Sequence, residues 1–406
     1  MTKVGVIGAG PSGIIASCIA ANRGHEVTLF EKNNMIGKKL LITGKGRCNI
    51  TNSSPIDEFF DNIVTNPQFL YSALYTFTND MLLDLLKEYG LEVKIERGNR
   101  VFPVSDKSID VSKTLERYLL KSKVKLLLKT KVTDIYYDES KFKIENDNNE
   151  KYIFDKIIIT TGGVSYPATG STGDGYKFAK KLGHTIVPLK PSLVPIEIKS
   201  NYLDQVRGLS LKNVELIATT NEGKLIHKEF GEMIFTHFGI SGPIVLTMSN
   251  YINKYIPNVN LFIDFKPALT DDKLELRILR DFEKYKNKDI KNALVDLLPK
   301  NMIDWIINNS SIDPNKKVNQ ITKSERKKLM NSIKRLNLEF VRLRPIEEAI
   351  VTSGGIKVDE INPSTMESKI VPGLYFAGEI IDIDALTGGY NLQIAFSTGY
   401  LAGINI

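Results

Sequence analysis

The sequence predicts an α/β fold that begins with a Rossmann-like dinucleotide-binding domain. Three observations predict it. A strand, a glycine-rich turn, a helix, a second strand and a closing acid follow one another within residues 3–31. A further buried-looking strand, Lys156–Thr160, runs into Thr161-Gly162-Gly163. Between residues 194 and 336 the pattern changes, first to short alternating strands and then to amphipathic helical spacing, which marks an inserted unit.

Lys3–Ile7 is a short β-branched run that stops at Gly8-Ala9-Gly10-Pro11-Ser12-Gly13. Ile14–Arg23 carries small and apolar residues at helical spacing, Gly24 stops it, and Glu26–Phe30 forms the second strand, closed by Glu31. In a GxGxxG turn of this kind Gly8 permits the tight bend, Gly10 lets the backbone approach a pyrophosphate, and Gly13 lets helix and strand pack closely. Pro11 and Ser12 open the helix, whose unpaired N–H groups and dipole favour a phosphate. Glu31 is placed to accept hydrogen bonds from an adenosine ribose and to repel a 2′-phosphate.

The next stretch, GKKLLITGKGRCNITN from Gly37 to Asn52, invites a phosphate-loop reading that fails on spacing. Six residues separate Gly37 from Gly44 where four are needed, and Gly46 follows Lys45 where Ser or Thr is needed. A Rossmann enzyme with a loose nicotinamide usually runs from its second strand into the next helix. A long, basic, glycine-rich excursion instead suits a chain that wraps the ribityl and isoalloxazine portions of FAD. Lys38, Arg47 and the backbone N–H groups of 44–49, with Gly46, Cys48 and Asn49 among them, are candidate contacts, as is Lys32 beside Glu31.

A chain of 406 residues, 42% hydrophobic and 25% charged, has the balance of a globular enzyme of one to three domains. Its two cysteines, Cys18 and Cys48, make no disulfide framework and no CxxC, which fits a reducing compartment. The apolar run Val4–Ala21 contains Pro11, Ser12, Ser17 and four glycines, unlike a signal peptide, and no run is long enough to span a bilayer. A cytoplasmic, non-membrane protein is expected. The net charge of +7 is concentrated: residues 266–337 hold 17 Lys+Arg against 10 Asp+Glu, a difference of +7 that leaves the rest balanced. Within it, residues 314–335 carry Lys316, Lys317, Lys323, Arg326, Lys327, Lys328, Lys334 and Arg335 against Glu325 alone. That pattern is a solvated helix face or an electrostatic footprint for RNA.

With IGAGPSG, EKNNMIGKKLLITGKGRCNITN, RVFPVSDKS, TTGG, TGSTGDGYKFAKKLGH, FTHFGISGP, RPIEEAIVTSGGI and LYFAGEIIDIDALTGGYNLQIAFSTGYLAG in place, the sequence resembles the HI0933-like (YhiN/BaiN-like) NAD(P)/FAD-dependent oxidoreductases along its whole length. Ala385 stands where a glycine is expected after Asp382-Ile383-Asp384. The resemblance implies a discontinuous two-dinucleotide-binding FAD domain, residues 1–190 and 341–406, with an inserted domain at 191–340. The residues agree with that division. VPIEIK, VELIAT, KLIHKEF and NLFIDF suggest a small β-barrel in 191–265, interrupted by a helix after Ser241-Gly242-Pro243, and 266–337 reads as helical and basic.

Lys125–Ile144, which includes the candidate contact Val132, alternates like paired strands. The strand end at Thr161, Gly162 and Gly163 is expected over the adenosine or pyrophosphate region. Gly373–Ala377 forms a returning strand ending in Gly378-Glu379, and by the resemblance Glu379 faces the ribityl and phosphate region. After Asp382, Thr387-Gly388-Gly389-Tyr390-Asn391-Leu392 opens a helix of small residues whose N–H groups are placed to reach the flavin N1–C2=O edge.

Flavin carries hydride itself, so the protein need add position, electrostatics and a proton. Candidate proton donors are His237 in FTHFGISGP, Cys48 in the flavin loop, and Tyr390; each also has a structural reading, as a satisfied histidine, a small buried hydrophobe and a packing ring. Arg100 and Lys107 are candidates to orient substrate or to form surface ion pairs. No His/Cys/Asp grouping has metal-ligand spacing. With no CxxC and no second GxGxxG, NAD(P)H is expected to dock transiently. The leading expectation is NAD(P)H-driven reduction of an activated C=C bond. The resembled family is linked to ring reduction of ribosomal RNA uridine, to steroid enone reduction and to amine oxidation. The basic insert tilts the choice towards uridine in 23S rRNA over a small-molecule substrate. The competing readings are an aminoketone or amine oxidase using O2, and a flavin-loaded, non-catalytic RNA-binding or assembly factor.

Overall fold

The computed structural model describes residues 1–406 as two compact units, Met1–Ser192 with Ile346–Ile406, and Leu193–Pro345. The first unit is built on a five-stranded parallel sheet in the order Leu374–Phe376, Lys156–Ile159, Lys3–Ile7, Glu26–Phe30, Lys125–Leu127. The inner strands are apolar on both faces because both are covered, as parallel sheets require: the helix Pro11–Asn22 lies against the sheet, and on Gly5 a Cβ would meet Phe154 and Ile144 of a separate antiparallel sheet; Val4, Val6, Leu29, Ile157 and Phe376 are fully buried. The order places a strand from near the C-terminus, Leu374–Phe376, beside Lys156–Ile159. Both chain ends therefore complete one sheet.

The helix Pro11–Asn22 packs against the last helix, Tyr390–Ile404, and small residues set the spacing. A Cβ on Gly399 would lie 2.3 Å from the Ser12 carbonyl oxygen, and one on Gly403 would lie 2.7 Å from that of Ala16. The matching order of these contacts makes the two helices parallel.

Lys125–Ile144 does not form one hairpin. Lys125–Leu127 joins the parallel sheet, while Val132–Asp138, Lys141–Asn146 and Lys151–Phe154 make a separate antiparallel sheet. A second small sheet, Thr51–Asn52, Arg100–Pro103 and Val93–Glu96, anchors the end of the glycine-rich loop.

The second unit holds a closed antiparallel barrel in the order Ile196–Lys199, Gly239–Ser241, Leu225–Phe235, Ser210–Thr219, Asn260–Asp264, Leu336–Leu343. The helix Pro243–Ile252 interrupts it, and Asp271–Lys284, Ile303–Asn309 and Lys323–Lys334 form its helical part. Trp305 joins the parts, stacked 5.6 Å from Tyr202 and tilted against Phe235 at 5.8 Å. The unit ends at Pro345 rather than at 340. The reason is register: Leu336–Leu343 closes the barrel by pairing with Ile196–Lys199 as far as Leu343, opposite Ile196.

The basic segment is less free than its composition implies. Lys316 pairs with Glu325 at 2.7 Å, Lys317 with Asp289 at 2.7 Å, Arg326 with Glu275 at 3.0 Å and Lys334 with Asp264 at 2.5 Å. Arg335 lies over the Phe262 ring. Lys323, Lys327 and Lys328 remain exposed on the helix Lys323–Lys334, which starts with a Thr322/Glu325 capping box. No helix of the chain is long and apolar enough to cross a membrane.

Candidate functional site

The GxGxxG turn shows which glycines the protein itself requires. A Cβ on Gly13 would sit 1.9 Å from the Gly8 carbonyl oxygen and 2.5 Å from Thr160 Oγ1, so helix and sheet demand glycine there. Gly10 differs. A Cβ on it would meet no protein atom within 4 Å, and its backbone, φ −79° and ψ −179°, suits any residue. The open space beside Gly10 is what a group lying on the helix start would fill. That start has no side-chain cap and no acid in its first turn, although Pro11 occupies its first position. Its N–H groups and positive dipole end are thus left to an anion.

The last helix repeats this arrangement. Gly389 caps it at φ 101° with no side-chain hydrogen bond, and its first turn also lacks an acid. A Cβ on Gly389 would lie 2.3 Å from the Thr51 carbonyl, so the loop end and helix start touch through backbone. Gly399 stands nine residues into its helix and Ser12 one residue into the first, so the last helix extends eight residues further. At 1.5 Å per residue its N-terminus projects about 12 Å beyond the other. Two anion-favouring ends therefore point the same way, staggered by roughly the length of a flexible linker. The residues present fit a group with one anionic centre at each end.

Around these ends stand the acids. Glu31, 8% exposed, accepts from Ala9 N at 2.9 Å and from Asn33 N and Nδ2 at 2.8 and 2.7 Å. Lys38 Nζ lies 3.4 Å from Asn33 Oδ1, while Lys32 is held by Thr172 and Asp174 at 2.5 and 2.7 Å. Glu379 accepts from Lys39 Nζ at 2.6 Å, Ser165 Oγ at 3.1 Å and Thr352 N at 2.9 Å. Burial, and then the charge of Asp384, raises the Asp382 carboxyl above its ordinary value; Asn66 Nδ2 donates to it at 3.3 Å. Buried Asp384 accepts from Ser192 Oγ and Ser353 Oγ at 2.9 and 3.1 Å.

Thr161 Oγ1 is buried without a partner. A Cβ on Gly163 would strike Thr352 Oγ1 at 2.3 Å, so that turn is pressed against the neighbouring strand. Gly162 precedes it, Gly378 follows the returning strand, and buried Val132 begins its strand opposite Asn146. Asn49, with its amide oxygen towards the helix, accepts from Gly389 N at 3.0 Å and donates to the Thr51 and Val101 carbonyls at 3.1 and 3.2 Å. Asn391 turns back on the preceding loop, bonding Ala385 N and O at 3.0 and 2.7 Å. Gly388 and Leu392 flank this entrance, both half-buried.

The remaining candidates have other surroundings. Glu96 and Asp106 take the Arg47 guanidinium, which also lies 4.1 Å from the Phe102 ring centroid. Cys48 has no exposed surface, and burial pushes its thiol up to about 12. Gly46 is exposed, and a Cβ on it, as on Gly10, would meet no protein atom within 4 Å. Of the other candidates, Tyr390 is 8% exposed with its ring edge-on to Phe59, and burial raises its phenol above the ordinary value. His237 lies in the second unit, exposed between two barrel strands with its ring beside Phe238. Arg100 bonds the Arg97 carbonyl and Lys107 is exposed.

Sequence reasoning missed Lys39, Ser165 and Thr352, which together hold Glu379, and it missed Gln393. Buried Gln393 accepts from Thr51 Oγ1 at 2.7 Å and donates to Phe77 O at 3.2 Å. A polar residue at the second turn of an apolar helix was the available signal for Gln393. Nothing in an irregular loop distinguishes Lys39 from Lys38.

Residues 2–405 match the HI0933-like protein Rossmann domain. The chain belongs to the HI0933-like family. Among HI0933-like relatives, a 3-dehydro-bile acid delta(4,6)-reductase of Clostridium scindens is 30% identical over 99% of this chain and 98% of its own. A ribosomal RNA dihydrouridine synthase of Escherichia coli is 30% identical over 97% of this chain and 95% of its own. The fold of this HI0933-like chain is also similar to a flavocytochrome c3 fumarate reductase in an open conformation. That match has a TM-score of 0.51 at 16% identity, over 100% of this chain and 78% of the other.

Proposed function

We propose that this protein is an FAD-dependent oxidoreductase that takes reducing equivalents from NADH or NADPH and saturates an activated carbon–carbon double bond. The observation that carries the reading is the pair of parallel, uncapped helix starts, with Gly10 open at one and Gly389 closed on Thr51 at the other. Gly8, Gly10, Pro11, Ser12 and Gly13 would hold the pyrophosphate, Glu31 the adenosine ribose, Glu379 the ribityl chain, and Gly388–Leu392 the pyrimidine edge of the flavin. When bound, FAD supplies hydride transfer from the nicotinamide and on to the substrate. The chain supplies the rest. The N-terminus of the last helix stabilises negative charge at that edge by roughly 0.3–2 kcal/mol. Tyr390 stays a neutral phenol because it is buried, and exposed His237 is the proposed proton donor to the substrate.

Both relatives support a reductase, since a delta(4,6)-reductase and a dihydrouridine synthase each act by reduction at a ring double bond. Between their substrates, exposed Lys323, Lys327 and Lys328 favour RNA. Uridine in 23S rRNA is therefore the proposed substrate, with a cytoplasmic location to match, NAD(P)H as a transient partner and a small-molecule enone as the alternative. The purified protein is expected to be yellow, and NADH or NADPH is expected to bleach it anaerobically. Dihydrouridine in 23S RNA should fall when the gene is deleted; an unchanged level removes the RNA substrate. Substrate-dependent peroxide without any nicotinamide would replace the reductase with an amine oxidase, and flavin that no nicotinamide reduces faster than free flavin would leave a non-catalytic RNA-binding factor.

A further inference from the structure

We infer that the acidic, aromatic surface formed by residues 56–75 is a docking site for an Arg/Lys-rich segment of a partner protein. Between Arg47 and Lys87 the sequence has no lysine or arginine but five carboxylates, Asp57, Glu58, Asp61, Asp80 and Asp84, in a chain of net charge +7. Asp57, Glu58 and Asp61 are exposed on the short turns Ile56–Phe59 and Phe60–Asn62.

Beside them lies a triangular cluster of three near-parallel rings, with Phe60 also 6.1 Å from Tyr75. Phe60 and Tyr71 are stacked with centroids 4.4 Å apart, and Tyr75 lies parallel to Tyr71 within 3° at 6.3 Å. Both tyrosines are 50% exposed, so a large ring surface faces water. The Tyr75 hydroxyl donates to Asp57, which fixes the outer ring before any partner arrives. Rigid rings flanked by carboxylates are a receptor for guanidinium and ammonium groups: the ring faces attract the cation and the acids add Coulombic attraction. Rings alone would also accept a nucleobase, but the phosphates of a polynucleotide would face the same carboxylates.

The surface is tied to the candidate site by backbone. Leu386 N donates to Asn62 O at 2.8 Å, Val64 N and Thr65 N donate to Asp384 O at 3.0 and 3.2 Å, and Asn66 Nδ2 donates to Asp382 O at 2.7 Å. Docking here therefore acts on the segment that leads to Gly388 and Gly389. The inference does not depend on the redox reading.

The test is calorimetric titration of the full chain with a short Arg/Lys-rich peptide and with its Gln-substituted counterpart, at low and high salt. The basic peptide is expected to bind in a salt-sensitive way and the Gln peptide not to bind. Tyr71→Ala with Tyr75→Ala, and separately Asp57→Asn with Glu58→Gln and Asp61→Asn, should each weaken binding by about tenfold. Absence of binding, or equal affinity in both variants, overturns the inference. So does binding of oligouridine that the tyrosine variant abolishes. Sedimentation of the chain alone supplies the last arm: self-association removed by the same variants would assign the surface to a second copy instead.

Discussion

Replacing Gly10 by alanine separates the needs of the fold from the needs of a bound dinucleotide. The backbone there is already extended at φ −79°, and a Cβ would meet nothing within 4 Å. The apoprotein should therefore change little in stability: the gain of about 0.4–1 kcal/mol from restricting the unfolded chain is offset by a comparable loss because alanine is a poorer N-cap than glycine. For a protein of this size the melting temperature should stay within about 1 °C of the unmodified chain. The same methyl enters the space where a pyrophosphate would lie on the helix start. Overpacking costs about 1–3 kcal/mol, or roughly 5- to 150-fold in FAD affinity. Gly13→Ala is the control with the opposite signature. Its Cβ, 1.9 Å from the Gly8 carbonyl oxygen, forces helix and sheet apart, so the apoprotein itself should lose about 3 kcal/mol or more. Thermal unfolding of both apoproteins by circular dichroism, with FAD titration followed by flavin fluorescence, reads the two effects separately. Gly10→Ala protein that binds FAD as tightly as the unmodified chain, or that melts as early as Gly13→Ala, would refute the assignment of that space.

Other outcomes follow from the same geometry. Lys39→Met and Glu379→Gln should show a coupling of about 0.5–3 kcal/mol in urea unfolding of the single and double variants, because the pair meets at 2.6 Å and is only 21% exposed on each side; additive losses would mean that the contact is idle. Burial holds the His184 imidazole below its ordinary 6.5. The unfolded chain therefore takes up a proton, as pH falls through about 6.5, that the folded chain resists. Stability is full above that pH and declines below it, and His184→Gln should flatten this part of the profile between about pH 5 and 8; an unchanged slope would show that another group carries it. Changing Lys323, Lys327 and Lys328 together to glutamine should reduce the slope of log affinity against log salt for single-stranded RNA by about 2. Fluorescence anisotropy measures it, and a constant slope would remove this helix from the RNA path.

The parts of this protein that were legible in its sequence are those where the constraint is local. Gly13 is fixed by one carbonyl five residues away, and the second strand with Glu31 follows within the same unit, so spacing alone exposed the dinucleotide turn. The barrel was legible because alternation survives in short strands such as Ile196–Lys199. What could not be read were contacts set at long range. Arg47 looked free because its partners, Glu96 and Asp106, lie 49 and 59 residues on, across a small sheet with no local signal. The basic run looked like a bare cationic face because Asp264, Glu275 and Asp289, which neutralise Lys334, Arg326 and Lys317, precede it on other elements. For Cys48 the residue type left a proton donor and a small buried hydrophobe both open, because burial is not a property of the residue type.

The same distinction explains why the domain is discontinuous. A helix start attracts an anion only over its first turn, so one helix serves one end of an extended ligand. A second helix must arrive parallel to the first, further forward, and close enough that both belong to one rigid body. Gly399 against Ser12 and Gly403 against Ala16 provide the closeness, and the eight-residue excess of Tyr390–Ile404 provides the reach. No segment adjacent to the first helix is free to do this, because the chain there is already committed to the strand Glu26–Phe30 and the glycine-rich loop. The returning C-terminal segment, entering beside Lys156–Ile159 as the outer strand of the sheet, is what brings the second helix to its place.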